Sequence, residues 1–164
     1  MTTENTDRAV EVRDALARYI DLRERLDRGE APWGDVALLF TEDAVYVDPL
    51  WGRVEGRDGI THLFETAMPG VDFTYPIDFT AIDGDWVVVK WRQVLPGAKP
   101  DGRPWEQSGI STLRYGCDGC FDYEEDLLNM GHVMEDIVAS GWQPGEGFTA
   151  PPADPTRDFA PPPR

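Results

Sequence analysis

The sequence predicts an α+β domain in which helices from the N-terminal part pack on one face of a curved, mainly antiparallel sheet. Three observations carry this expectation. Apolar residues recur at helical spacing up to Gly70, they alternate with polar residues beyond it, and the alternating stretches are joined by short turns rich in Asp and Gly. Helices first and hairpin-linked strands afterwards is the α+β order, in which the sheet buries one face against the helices. With 164 residues, 41% of them hydrophobic, the chain can build one core and not two.

Val12, Ala15, Leu16, Tyr19, Ile20 and Leu26 share one face of a long first helix ending near Gly29. Trp33, Val36, Ala37 and Phe40 outline a short second helix. Ile60, Leu63, Phe64 and Ala67 outline a third, with Asp58 as its expected cap and Pro69-Gly70 as its end. A short strand over residues 44–48 lies between the second and third and stops at Pro49. Beyond Gly70, Phe73, Tyr75, Ile77, Phe79 and Ala81 form one face of a half-buried strand. Asp83-Gly84-Asp85 turns the chain into a strand over 86–95, and a Pro/Gly-rich loop follows. Strands over 105–115 and 120–128 meet across Asp118-Gly119, a favoured hairpin turn. A last helix over 129–140 ends at Gly141. Residues 1–143 form the domain. Residues 144–164 carry seven of the fourteen prolines and are expected to be disordered or draped over the surface.

The formal net charge of −16 repels phosphate backbones and anionic lipid, so nucleic acid and membrane surfaces are poor partners. The longest apolar stretches, 86–90 and 36–40, fall far short of the roughly 20 residues that cross a bilayer. No basic start followed by an apolar run opens the sequence, so a cytoplasmic location is expected. Cys117-Asp118-Gly119-Cys120 has a spacing used by zinc and redox sites, but no second pair exists and its Asp-Gly centre reads as a hairpin turn. No metal or cofactor is expected. His62 and His132 fall on separate helices and act as proton shuttles only if they reach a pocket.

A curved sheet closed by helices leaves a conical pocket lined by aromatics and a few polar groups, which suits a hydrophobic small molecule. The residues with most chemical content are Val45-Tyr46-Val47-Asp48-Pro49-Leu50-Trp51-Gly52, then Gly56-Arg57 and the helix from Asp58. Together with Arg18-Tyr19 and residues 35–40, these resemble the nuclear transport factor 2-like superfamily over roughly Val10 to Met130. That superfamily includes ketosteroid isomerases, SnoaL-like polyketide cyclases and limonene-type epoxide hydrolases. The resemblance implies the cone-shaped, cystatin-like version of the α+β fold.

It also implies roles. Asp48, in an Asp-Pro step at the end of the first strand, matches the general base of ketosteroid isomerases, and Tyr19 after Arg18 matches their oxyanion-binding tyrosine. Ser111 stands where that family has a second, acidic donor. Asp126 resembles an acid that cyclases and epoxide hydrolases use, and would relay the proton. If Ser111 points inward, alternation sends Gln107, Gly109 and Leu113 inward with it, and Glu124 and Asp126 on the partner strand. Trp51, Phe64, Trp91, Leu113 and Glu124 then line the substrate site. An Asp before Pro also commonly ends a strand by bonding to nearby backbone, and a buried helical tyrosine is commonly core. Both readings stand at this stage.

The activity so implied is a cofactor-independent isomerase or lyase that abstracts a proton from a steroid- or polyketide-like carbonyl compound. One alternative is a non-catalytic binding or assembly module. The other is a cyclase or modified epoxide hydrolase using Asp48 and Asp126. The Arg-x-Asp step of limonene-type hydrolases is missing from Lys90-Trp91-Arg92-Gln93, whose cations are expected on the solvent side. A homodimer through the outer sheet face, with Ile110 and Thr112 on it, completes the expectations.

Overall fold

The computed structural model describes residues 3–163. Helix α1 (Thr3–Asp27) is followed by a 3-10 helix (Trp33–Leu39), strand β1 (Phe40–Asp48), strand β2 (Gly52–Glu55) and helix α2 (Arg57–Ala67). Strands β3 (Ile77–Asp83), β4 (Trp86–Ala98), β5 (Pro104–Cys117) and β6 (Cys120–Leu128) come next, then helix α3 (Met130–Ser140). The six strands form one curved, open sheet in the order β2-β1-β6-β5-β4-β3. Neighbours are antiparallel except β1 and β6, which run parallel. The α+β architecture expected from the sequence is therefore present, as a mixed sheet with one parallel pair.

The core lies between the concave sheet face and the helices. From α1 it takes Val12, Ala15, Leu16, Tyr19 and Leu26 of the expected stripe, with Leu22 in addition, while Ile20 is only partly buried against it. Helix α2 contributes Ile60 and Leu63, and the strands contribute Tyr46, Val87, Val89, Trp91, Leu113 and Phe121. The edge of α2 departs from expectation. Its cap is Gly56, with no side-chain cap bond, and Asp58 sits in the first turn, where a carboxylate favours the helix dipole.

Two local features redirect the chain near the site. Asp48 Oδ1 accepts hydrogen bonds from Leu50 N at 2.7 Å and Trp51 N at 2.8 Å, and this turn folds β2 back on β1. Strand β2 had no periodic signal, because it holds only four residues. In β3 the register slips between Ile77 and Phe79, so one residue is extra against β4. The slip breaks the expected common face: Tyr75 and Ile77 pack on the core, whereas Phe79 and Ala81 are exposed.

The Pro-rich residues 144–163 lie over the surface. They pass the open end of the cone, cross the edge of β2 and run over the outer face of β1 and β6, where Val45, Val47 and Tyr123 are buried as a separate cluster. Gly52 makes that crossing possible. Its φ is +77°, and a Cβ there would stand 2.5 Å from the backbone oxygen of Thr156. Gly52→Ala is expected to cost about 2 kcal/mol and to release the tail. Denaturant titration would read the first effect and limited proteolysis the second; an unchanged cleavage pattern would contradict the second.

Candidate active site

A cavity of about 430 Å³ opens between the sheet, α1, the 3-10 helix, α2 and α3. Its walls are aromatic and aliphatic, with Trp33, Trp51, Phe64, Tyr75 and Trp91 prominent among them. At its floor a small set of polar side chains converges from α1, β1 and β6. Apolar walls around a few placed polar groups are the usual build of a small-molecule site.

The sheet register supplies the floor. Ser111 is paired with Asp126 and Leu113 with Glu124 across β5 and β6, so Glu124 and Asp126 project to the same concave face. Asp126 accepts from Ser111 Oγ on one oxygen and from Tyr46 Oη on the other, at 2.5 Å. Trp91 Nε1 donates to Ser111 Oγ at 2.9 Å. The Trp91 ring reaches this position because residue 109 on the neighbouring strand is glycine. A Cβ at Gly109 would lie 2.6 Å from the ring.

A second branch starts on α1. Tyr19 Oη donates to Glu124 Oε1 at 2.8 Å and accepts from Arg23 Nη1 at 2.6 Å. The Arg23 guanidinium lies over the rings of Tyr19, Trp91 and Tyr75, at 5.5, 5.6 and 5.9 Å from their centroids. Arg23 Nε and Glu124 Oε2 are buried and have no hydrogen-bond partner among the described residues.

Burial sets the protonation states. It pushes Glu124 well above the usual carboxylate range, the Asp126 charge adds to the push, and Arg23 opposes it. Asp126 is raised by burial too, against the Ser111 and Tyr46 hydrogen bonds that favour its charged form. One proton shared by this pair leaves one negative charge facing Arg23. Both Asp126 oxygens accept hydrogen bonds, so the proton belongs on Glu124, whose Oε2 is the unpartnered atom. Burial lowers the affinity of Arg23 for its proton, but the negative charge that the Asp126–Glu124 pair holds beside it outweighs that and keeps it charged. Tyr19 and Tyr46 are raised well above the ordinary phenol range by burial, so both stay neutral.

Asp48 stands apart from this network at the end of β1, on the cavity wall. With Oδ1 taken by the two backbone N–H groups, Oδ2 has no hydrogen-bond partner among the described residues. Burial raises its pKa to about 6; the Trp51 N–H pulls it down and the Asp126 charge pushes it up.

Of the residues singled out in the sequence, Asp48, Tyr19, Asp126, Glu124, Trp51, Phe64 and Trp91 line the cavity. Ser111 is fully buried behind Asp126 and does not line it. Leu113, expected in the wall, is a correction: it is fully buried in the core, packed under the helices. The hydroxyl of Tyr19 is committed to Glu124, which corrects the expectation that it faces a ligand carbonyl. Arg23 and Tyr46 were missed. The sequence holds a signal for Arg23, which falls four residues after Tyr19 and so on the same helix face. Tyr46 has only the inward parity it shares with Asp48.

Outside the cavity, Arg92 pairs with Asp78 and Glu106 on the outer face. His62 and His132 are exposed and away from the cavity lining. Cys117 and Cys120 are free thiols across the Asp118-Gly119 turn, and no cluster fit for a metal occurs among the described residues. No helix among them is long and apolar enough to cross a membrane.

Helices on a curved open sheet around such a cavity define the nuclear transport factor 2-like class. Within it the chain belongs to the SnoaL-like domain family, which it matches over residues 16–120. A search of curated proteins returned no match. Solved structures resemble it at low identity. A protein described as a SnoaL-like polyketide cyclase from Jannaschia sp. CCS1 shares 18% identity at a TM-score of 0.61, covering 79% of this chain and 93% of that one. A ketosteroid isomerase-like fold from Catenulispora acidiphila, solved with trimethylamine, shares 21% at 0.55 over 70% and 88%. SalBIII, an epoxide hydrolase/cyclase-like enzyme of pyran ring formation in salinomycin, shares 17% at 0.56 over 76% and 95%.

Proposed function

We propose that this chain is a cofactor-independent enzyme that moves a proton on a hydrophobic carbonyl compound of steroid- or polyketide-like shape. The observation that carries the reading is Asp48: one carboxylate oxygen pinned by backbone, the other free on the wall of an apolar cavity, and a pKa near 6. Such a group is ionised at neutral pH, and its affinity for a proton is far higher than that of an exposed aspartate. Asp48 removes the proton next to the carbonyl. Glu124, neutral and with Oε2–H unpartnered, donates to the oxygen as negative charge develops, and Arg23 adds a fixed positive charge beside it. Tyr19 positions Glu124, and Tyr46, Ser111 and Trp91 hold Asp126, whose charge helps keep the Asp48 pKa high. The use of a carboxylic acid kept neutral by burial parallels the handling of ketosteroid isomerase in general acid–base theory.

The assay needs no knowledge of the natural substrate. Cyclic ketones incubated with the protein in deuterated water are expected to exchange their α-protons faster than in buffer, with kcat/KM rising through about pH 6 and falling again at higher pH where Glu124 gives up its proton. Exchange no faster than buffer across a ring-size series would remove the enzyme reading in favour of a binding module.

A second reading is ring closure or epoxide opening, supported by the presence of Asp48 and the Glu124–Asp126 pair in one cavity. There Asp48 takes the proton from an attacking hydroxyl while the neutral acid protonates the departing oxygen. A hydroxy-epoxide consumed without ketone exchange would select it. Exposed Phe79, Ile110 and Leu127 on the outer sheet face support the homodimer.

A further inference from the structure

We propose that residues 142–151 are the specificity-determining wall of the cavity, held in place from outside by residues 155–162. The inference rests on the proposed function only for the kind of ligand, an elongated molecule whose carbonyl meets Asp48 and whose flat apolar body lies against Trp142 and Phe148.

The first support is that this segment is built into the cavity. Trp142, Pro144, Phe148, Thr149 and Pro151 share its lining with Asp48 and Glu124. Trp142 Nε1 donates to Asp72 Oδ1 at 2.7 Å, and its ring lies 4.7 Å from that of Phe73 and 6.5 Å from that of Phe148. Gly145 N donates to Gly70 O at 2.8 Å. The approach is so close that a Cβ at Gly70 would stand 2.6 Å from the Gly145 oxygen.

The second support lies outside the cavity. After Pro151 the chain is anchored through its backbone carbonyls, which suits a segment whose prolines have no N–H to give. Arg53 N donates to Thr156 O at 2.8 Å, Arg53 Nη1 to Ala160 O at 2.7 Å, Tyr123 Oη to Phe159 O at 2.6 Å, and Arg114 Nη2 to Pro162 O at 2.7 Å. Prolines hold the strap extended before it docks, which lowers the entropy lost on docking. The 142–151 wall is thus tethered at both ends, by α3 and by the strap.

The test measures binding by calorimetry for ketones of one to four fused rings, on the full chain, on Phe148→Ala, on Arg53→Ala and on the chain ended after Gly141. Phe148 is 41% exposed, so its removal leaves the core intact. For the full chain one ring number is expected to bind best. Phe148→Ala is expected to shift that optimum at least one ring longer. Arg53→Ala, at a residue that does not itself line the cavity, removes the Nη1 anchor to Ala160 and is expected to weaken the best ligand several-fold, and the shortened chain at least ten-fold with loss of ranking. An unshifted optimum in Phe148→Ala overturns the wall, and unchanged affinity in Arg53→Ala overturns the strap. If the shortened chain does not fold, the two substitutions decide. Binding without proton exchange leaves the wall standing and removes the catalytic reading; no binding by any ketone overturns both.

Discussion

Asp48→Asn is expected to abolish most turnover while making the protein more stable at neutral pH. The amide keeps an oxygen for the Leu50 and Trp51 N–H groups, so the turn between β1 and β2 survives. What disappears is the proposed base, and loss of a positioned general base typically costs 10²- to 10⁴-fold in rate. The stability effect follows from the shift itself. Folding raises the Asp48 pKa from 3.8 to about 6, so between those values the native state binds the proton more tightly than the unfolded chain. Stability therefore falls as pH rises through that window, and the cost of holding the charge is fully present above about pH 6. Removing the charge should return about 3 kcal/mol at pH 7, or about 9 °C in Tm, and nothing below about pH 4. Denaturant titrations of both proteins at pH 4 and pH 7 check this; a variant less stable at pH 7, or equally active, would refute the placing of Asp48.

Arg23→Met is expected to be among the most damaging single changes in the protein. It keeps an unbranched apolar stem but leaves Glu124 and Asp126 facing each other without a cation, and loss of one partner from a buried ion cluster typically costs about 3–5 kcal/mol. The sign with pH is distinctive. Burial makes both acids hold a proton more tightly in the folded state than in the unfolded chain, so acidification neutralises the charge that has lost its cation, and the variant should recover relative to the parent as pH falls from 8 to 5. Asp126→Asn added to Arg23→Met should restore part of the loss, since it removes the negative charge that Arg23 faces while keeping a side-chain oxygen to accept at that place. Equal losses at pH 5 and 8, or strict additivity of the two substitutions, would show that Arg23 acts through packing against Tyr19, Tyr75 and Trp91 alone.

Much of this arrangement was readable in the chain before folding. A period of two makes every second residue of β5 and β6 face the core, so an inward Ser111 carries Leu113 with it and sets Glu124 and Asp126 inside on the partner strand. A short side chain two residues before a turn commonly bonds to the following backbone, and Asp48 does. The turn reading of Asp48 holds on one carboxylate oxygen, and the other is left on the cavity side for the role we propose for it.

Local pattern determined the order of helices and strands, the buried stripe of α1 and the parity of the acids on β6, because each depends on residues a few positions apart. It could not determine which donor meets which acceptor. Tyr46 meets Asp126 from 80 positions away and Tyr19 meets Glu124 from 105, so whether a hydroxyl faces a ligand or a neighbouring acid was decided only when β1, β6 and α1 came together. The slipped register of β3 and the docking of the proline-rich tail belong to the same group. The first answers to the strand beside it, and the second to apolar residues on the outer sheet face that need a cover, neither of which is written in the segment itself.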